Sequence, residues 1–159
     1  MSRLSFLPLA LLFCVACSHG DAIIDETHTF STAWNRFSDE KFVVTVSDIE
    51  SPYDIYCEIV VDTQRYRQAS LPINVNVITS FGERRMFRSH ITLRDRDALW
   101  KGEWRDNKLV VDQCIRDAFS FNRKGVDTVK IGQATQYYDI SGIESLRLHI
   151  HPTKIEYPE

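Results

Sequence analysis

Four stretches of this chain place an apolar side chain at nearly every second position, the pattern of a strand with one face in a core and the other in water. Phe42, Val44 and Val46 form the first. Tyr53, Ile55, Cys57, Ile59 and Val61 alternate with Asp54, Tyr56, Glu58, Val60 and Asp62; Leu71, Ile73, Val75 and Val77 alternate with Pro72, Asn74, Asn76 and Ile78. Phe87, Ser89, Ile91 and Leu93 alternate with Arg88, His90 and Thr92. Weaker candidates follow at 108–112, 115–121, 126–133 and 145–151. Turn-forming pairs such as Ser51-Pro52, Phe81-Gly82, Asp106-Asn107, Lys124-Gly125 and Ser141-Gly142 separate the segments. No window of a dozen residues carries the 3.6-residue period of an amphipathic helix. About eight strands in 159 residues predict an all-β fold, an antiparallel β-sandwich of jelly-roll or Ig-like type. A closed up-and-down barrel is the second choice. A domain of this size buries about two-thirds of its unfolded surface and needs no staples to fold.

The first seventeen residues belong to a different pattern. Arg3 is the only charged side chain before Asp21, and Leu4 to Ala16 is almost wholly apolar. That run suits an export signal and is too short to span a bilayer, which takes about 20 residues. Val15-Ala16-Cys17 resembles a bacterial lipobox, in which the Cys thiol takes a diacylglyceryl group and becomes the new N-terminus. Cys14 stands where Leu is usual, and bulky Phe13 makes Cys14 itself a poor lipidation site. The expected organisation is a lipoprotein signal at 1–16, lipidated Cys17 and a tether at 17–28, and one sandwich domain at 29–159. Two or three acyl chains, each CH₂ worth ~0.8 kcal/mol, hold a protein on a membrane unaided.

Removal of residues 1–16 takes away only Arg3, leaving 18 basic against 22 acidic side chains, a net charge of −4. Nucleic acid is not an expected partner, since phosphate neutralisation needs clustered Lys and Arg. A mildly acidic domain is also expected to gain nothing from its own charge on an anionic membrane.

Two of the four cysteines then remain. An oxidising compartment offers a Cys57–Cys114 disulfide. Strand phase opposes it, because Cys57 belongs to the apolar set of its strand while Cys114 alternates with Ile115, Phe119 and Phe121. A buried, free Cys57 is the better expectation.

Catalytic motifs are missing from the pattern: no phosphate loop, HExxH or GxSxG run is present. His149 and His151 are two apart on a strand, a spacing that can chelate, but no second ligand pair is near in sequence. They and His90 read as wet-face residues, and no metal or cofactor is expected. Asp95, Asp97 and Asp106 offer oxygens to Ca²⁺ only in a spacing that fits no known loop. Trp34, Trp100 and Trp104 lie outside the strongest strands. Trp100 and Trp104 are the candidate contacts for a ligand or partner, with plugging of the sandwich end the better reading of Trp100.

Taken together, the lipobox, Phe30-x-x-x-Trp34, the strand Phe42 to Val46 with Asp48 and Tyr53, Tyr66 and Leu71-Pro-Ile73 resemble the gliding-motility lipoprotein H (GldH) family of Bacteroidetes. Leu93 to Gly102 is similar to that family's Leu-Asp…Trp-x-Gly segment, Gly125 to Gln133 to its strand ending in Gln, and Ile140-Ser-Gly-Ile143 with Leu146-Arg-Leu148 to its closing stretch. Trp104, Asp127 and Ser145 depart from the family pattern. The resemblance implies an extracytoplasmic β-sandwich lipoprotein linked to gliding and to type IX secretion, with no enzymatic activity and no catalytic residue to carry over. The expectation is a non-enzymatic, membrane-anchored interaction module whose partners are other envelope or gliding and secretion proteins. A carbohydrate-binding lipoprotein is the alternative. Asp21 is the first acid after Cys17, and the absence of an acidic run there favours an outer-membrane anchor facing the periplasm.

Overall fold

The computed structural model describes residues 22–154. Cys14 and the lipidation candidate Cys17 lie outside the described residues. Eleven strands make up the structure: β1 (Ile24–Thr29), β2 (Trp34–Asn35), β3 (Glu40–Val46), β4 (Tyr53–Val61), β5 (Ser70–Ile78), β6 (Arg84–Thr92), β7 (Glu103–Arg105), β8 (Lys108–Phe119), β9 (Gly125–Gln133), β10 (Asp139–Ile140) and β11 (Ile143–Pro152). Burial follows the sequence period most cleanly in β4, where Tyr53, Ile55, Cys57, Ile59 and Val61 are buried and every residue between them is half-exposed.

All pairings are antiparallel. One sheet runs β1-β11-β4-β8-β7, the other β3-β9-β5-β6, and β10-β2 form a small third sheet. With the short β2, β7 and β10 set aside, eight long strands remain. The first, eighth, third and sixth lie side by side in one sheet, and the second, seventh, fourth and fifth in the other. That is jelly-roll connectivity, two interlocked Greek keys. It decides between the two sandwich types expected and replaces the barrel, since both sheets keep open edges.

A single core fills the space between the sheets. Phe42, Val75, Ile131 and Ile73 from one side meet Ile55, Ile59, Leu109 and Leu148 from the other, all fully buried. Each such side chain contributes about 1.5–3 kcal/mol through removal from water. Trp34 closes one end: it is 1 % exposed, stacks on Phe30 at 4.9 Å, and donates its indole N–H to the Ser38 carbonyl at 2.9 Å. The Phe30-x-x-x-Trp34 spacing is therefore a packing device. Gly142 has a comparable reason: at φ +93°, a Cβ there would lie 2.6 Å from the Tyr66 backbone nitrogen.

The register fixes two ends. At one, residue 22 leads into β1 beside Pro52, Phe81, Asn122 and Thr153; Ser80 N–H donates to Asp127, and Thr153 N–H to the Pro52 carbonyl. At the other lie Trp34, the 93–102 loop, Trp104 and the 134–142 loop, joined by β2-β10 pairing and by Lys101 N–H on the Leu93 carbonyl.

Two expectations change. The tether was expected to run to residue 28, but Ile24–Thr29 pairs with β11 along its whole length, from Ile24↔Ile150 to Thr29↔Ser145. An edge strand needs only ladder partners and little burial, so its sequence, IDETHT, carries no period. The segments expected at 108–112 and 115–121 are one strand, β8, whose alternation is broken where the register shifts between Ile55 and Tyr56.

Candidate functional site

Because side chains alternate, the residues between the core positions of β4, β8 and β11 project together from the outer face of the five-stranded sheet. Pairing sets Arg147 against Glu58, His149 against Tyr56, and His151 against Asp54, while Asp112 lies across from Glu58. Arg147 grips Asp25 with two parallel bonds, Nε to Oδ1 at 2.6 Å and Nη2 to Oδ2 at 2.7 Å, and its Nη1 lies 3.6 Å from Glu58. Arg105 approaches Glu58 at 3.8 Å and Glu103 at 3.0 Å. The guanidinium of Arg147 holds the Asp25 carboxyl below its ordinary value against the opposing effect of burial.

Toward the end where the chain begins, the same face carries a hydrogen-bonded imidazole array. His149 Nε2 lies 2.9 Å from Asp112 Oδ1, and His149 Nδ1 lies 2.8 Å from His151 Nε2. A carboxylate only accepts, so His149 carries its proton on Nε2, and in the neutral array Nδ1 accepts from His151. Tyr56 stacks on His149 at 5.1 Å and nearly parallel. His149 is 7 % exposed, so it is no free wet-face histidine: its neighbours on the face cover it. Beside the array is an open hollow of about 460 Å³, walled by Tyr56, His151, Pro152 and Lys154.

The hollow offers imidazole, phenol and carboxylate groups. The Thr153 hydroxyl is spent on Asp54 at 2.7 Å, and burial, with Asp54 nearby, raises the Cys114 thiol above its ordinary value. Neither is set up as a nucleophile. Among the described residues no group of three or more His, Cys, Asp or Glu side chains is placed to hold a metal ion.

The candidates from sequence fall in separate places. Trp100 packs partly buried against the core, and the Arg94 guanidinium covers its ring at 3.8 Å. Trp104, on β7, is 53 % exposed at the same end of the sandwich. Gly102 between them sits where a Cβ would strike the Val110 carbonyl, so the Trp-Lys-Gly run is a close approach of loop to strand. Asp95 accepts from the backbone N–H groups of Asp97 and Leu99, both at 2.9 Å, which commits its carboxylate to its own loop. Cys57 and Cys114 are both free. Their neighbours in register are Gln113 and Tyr56, so the thiols point to opposite faces of the sheet. Burial drives the Cys57 thiol well above its ordinary value.

Sequence reasoning missed Asp112 as the partner of His149, because 37 residues separate them and only the β4-β8-β11 register unites them. It also missed the exposed aromatics Phe37 and Tyr138, 5.9 Å apart with Arg36 against both rings.

The family model described as GldH lipoprotein matches residues 22–150. No curated protein and no solved structure matches the chain.

Proposed function

The chain belongs to the GldH lipoprotein family, lipoproteins of the cell envelope associated with gliding motility, and from that premise we propose that it is a non-enzymatic interaction module held on the outer membrane through Cys17 and facing the periplasm. One observation carries the reading: the match runs from the residues that lead into β1 through Ile150 in β11, so it spans the whole jelly roll. The domain thus starts only a few residues after Cys17. Among the described residues four of the five large exposed aromatics, Phe37, Tyr137, Tyr138 and Trp104, lie at the end opposite to where β1 begins, clear of an anchor and open to an envelope protein, with Phe81 alone at the near end. The hydrogen-bonded array on the outer face, with its hydroxyl and thiol unactivated, supports binding over catalysis.

Purification of the lipidated protein from membranes in mild detergent tests the module directly. A stoichiometric envelope partner, lost on Phe37→Ala with Tyr138→Ala, is expected; isolation of the intact protein alone under crosslinking would remove the reading. Protease shaving of intact cells reads the side of the membrane, and the domain is expected to survive it. For carbohydrate, Trp100 is lost as a stacking platform to Arg94, which leaves Trp104 alone. Glycan binding that Trp104→Ala abolishes would restore that alternative.

A further inference from the structure

The outer face of the four-stranded sheet is chemically unlike that of the five-stranded one. Lys41, Lys130, Arg84 and Arg88 project from it, and among the described residues none of the four has a carboxylate within salt-bridge distance. Lys41 and Lys130 are direct cross-strand partners, a like-charge juxtaposition that weakens a sheet unless something anionic relieves it. Asp39, set against Gly132 at one corner, is the carboxylate of this face. Between the cations stand Met86 at 73 % and Val43 at 61 % exposure, long and branched aliphatics with no protein cover. Cations interleaved with bare aliphatics suit a surface that is anionic at the top and greasy just beneath.

We propose that this face rests on anionic phospholipid headgroups, which builds on the lipid-anchor reading above. The geometry of the chain start favours a membrane over an acidic protein. β1 flanks β3, the edge of the cationic sheet: His28 of β1 stacks on Phe42 at 4.3 Å and bonds to Glu40 at 2.6 Å. From Cys17 to residue 22 the chain reaches at most about 18 Å at 3.3–3.6 Å per residue. A nine-residue strand of this sheet is itself about 30 Å long. A domain on so short a lead cannot stand clear of the headgroups, and the sheet whose edge strand β1 flanks is the cationic one. The acidic side chains of the five-stranded sheet do not oppose the contact: Asp25, Glu58, Glu103 and Asp112 lie on the opposite face, and the Debye length, about 8–10 Å, is less than the thickness of two packed sheets with their side chains.

The test uses the lipidated full chain with Cys114→Ser, labelled with an environment-sensitive dye at Met86→Cys or, on the opposite face, at Glu103→Cys, in vesicles of phosphatidylcholine alone or with phosphatidylglycerol. Flotation on neutral vesicles reads the anchor independently of the dye. The Met86 dye is expected to brighten and shift to the blue only with phosphatidylglycerol, to revert in high salt, and to revert in a variant with Arg84→Gln and Arg88→Gln whose thermal unfolding is unchanged; the Glu103 dye stays constant. Equal signals on neutral and anionic vesicles, equal signals at both positions, or a signal that needs added envelope protein would each overturn the proposal. Failure to float on neutral vesicles would remove the anchor reading, while the dye on anionic vesicles would still decide the face.

Discussion

On the outer face of the five-stranded sheet, Arg147 and Arg105 are held by Asp25, Glu58 and Glu103, whereas Lys41, Lys130, Arg84 and Arg88 on the four-stranded sheet have no carboxylate partner among the described residues. Both faces cover the same core, so folding does not require the difference. A paired face is finished within the molecule, and an unpaired face of like charges is finished by something outside it. The net charge of −3 averages the two and conceals both.

The largest effect tests what the faces share. Leu148→Ala beneath one and Ile131→Ala beneath the other are both expected to cost about 2–5 kcal/mol in denaturant unfolding, with a single transition in each case. A second transition in either variant would mean that the sheets do not share one core. The next effect separates the faces. Arg147→Ala loses a bidentate pair and is expected to cost about 1 kcal/mol, while Arg88→Ala stays within about 0.5 kcal/mol. Equal costs would erase the contrast.

A smaller effect lies at the seam where β1 meets β3. Burial lowers the His28 pKa, but hydrogen bonds to Glu40 and Glu26 outweigh it and raise the value above 6.5. A raised folded value means the stabilisation is fully present below about pH 6.5 and is lost as pH rises through the folded pKa. His28→Gln is expected to flatten the stability profile across that window, and an unchanged slope would place the pH dependence elsewhere. The smallest effect concerns the thiols: in the native protein a thiol reagent is expected to modify Cys114 slowly and Cys57 only on unfolding, and rapid native reaction of both would contradict the burial of Cys57.

The jelly-roll strands were legible wherever one face is buried, as in β4 and β5, because the core imposes the period of two on the sequence. β1 was not, since it lies at an edge with Asp25, Glu26 and Thr27 half-exposed or more and pairs through its backbone. β8 was read as two pieces because its register shifts opposite Ile55 interrupt the alternation. The site residues divide in the same way. Trp100 as an end plug is legible from its place outside the strongest strands, but the Asp112, His149 and His151 array and the cationic face exist only once strands far apart in sequence become neighbours. Charge segregation in particular leaves no trace in composition, because alternate residues of each strand go to opposite sides.

Lysine acylation of the native lipidated protein, compared between its own membranes and detergent, tests the central contrast most directly. Lys41 and Lys130 are expected to be protected in membranes and to react in detergent, while exposed Lys101, at the end opposite to where β1 begins, reacts equally in both. Equal reactivity of Lys41 and Lys130 in the two settings, with the protein still membrane-bound, would contradict it.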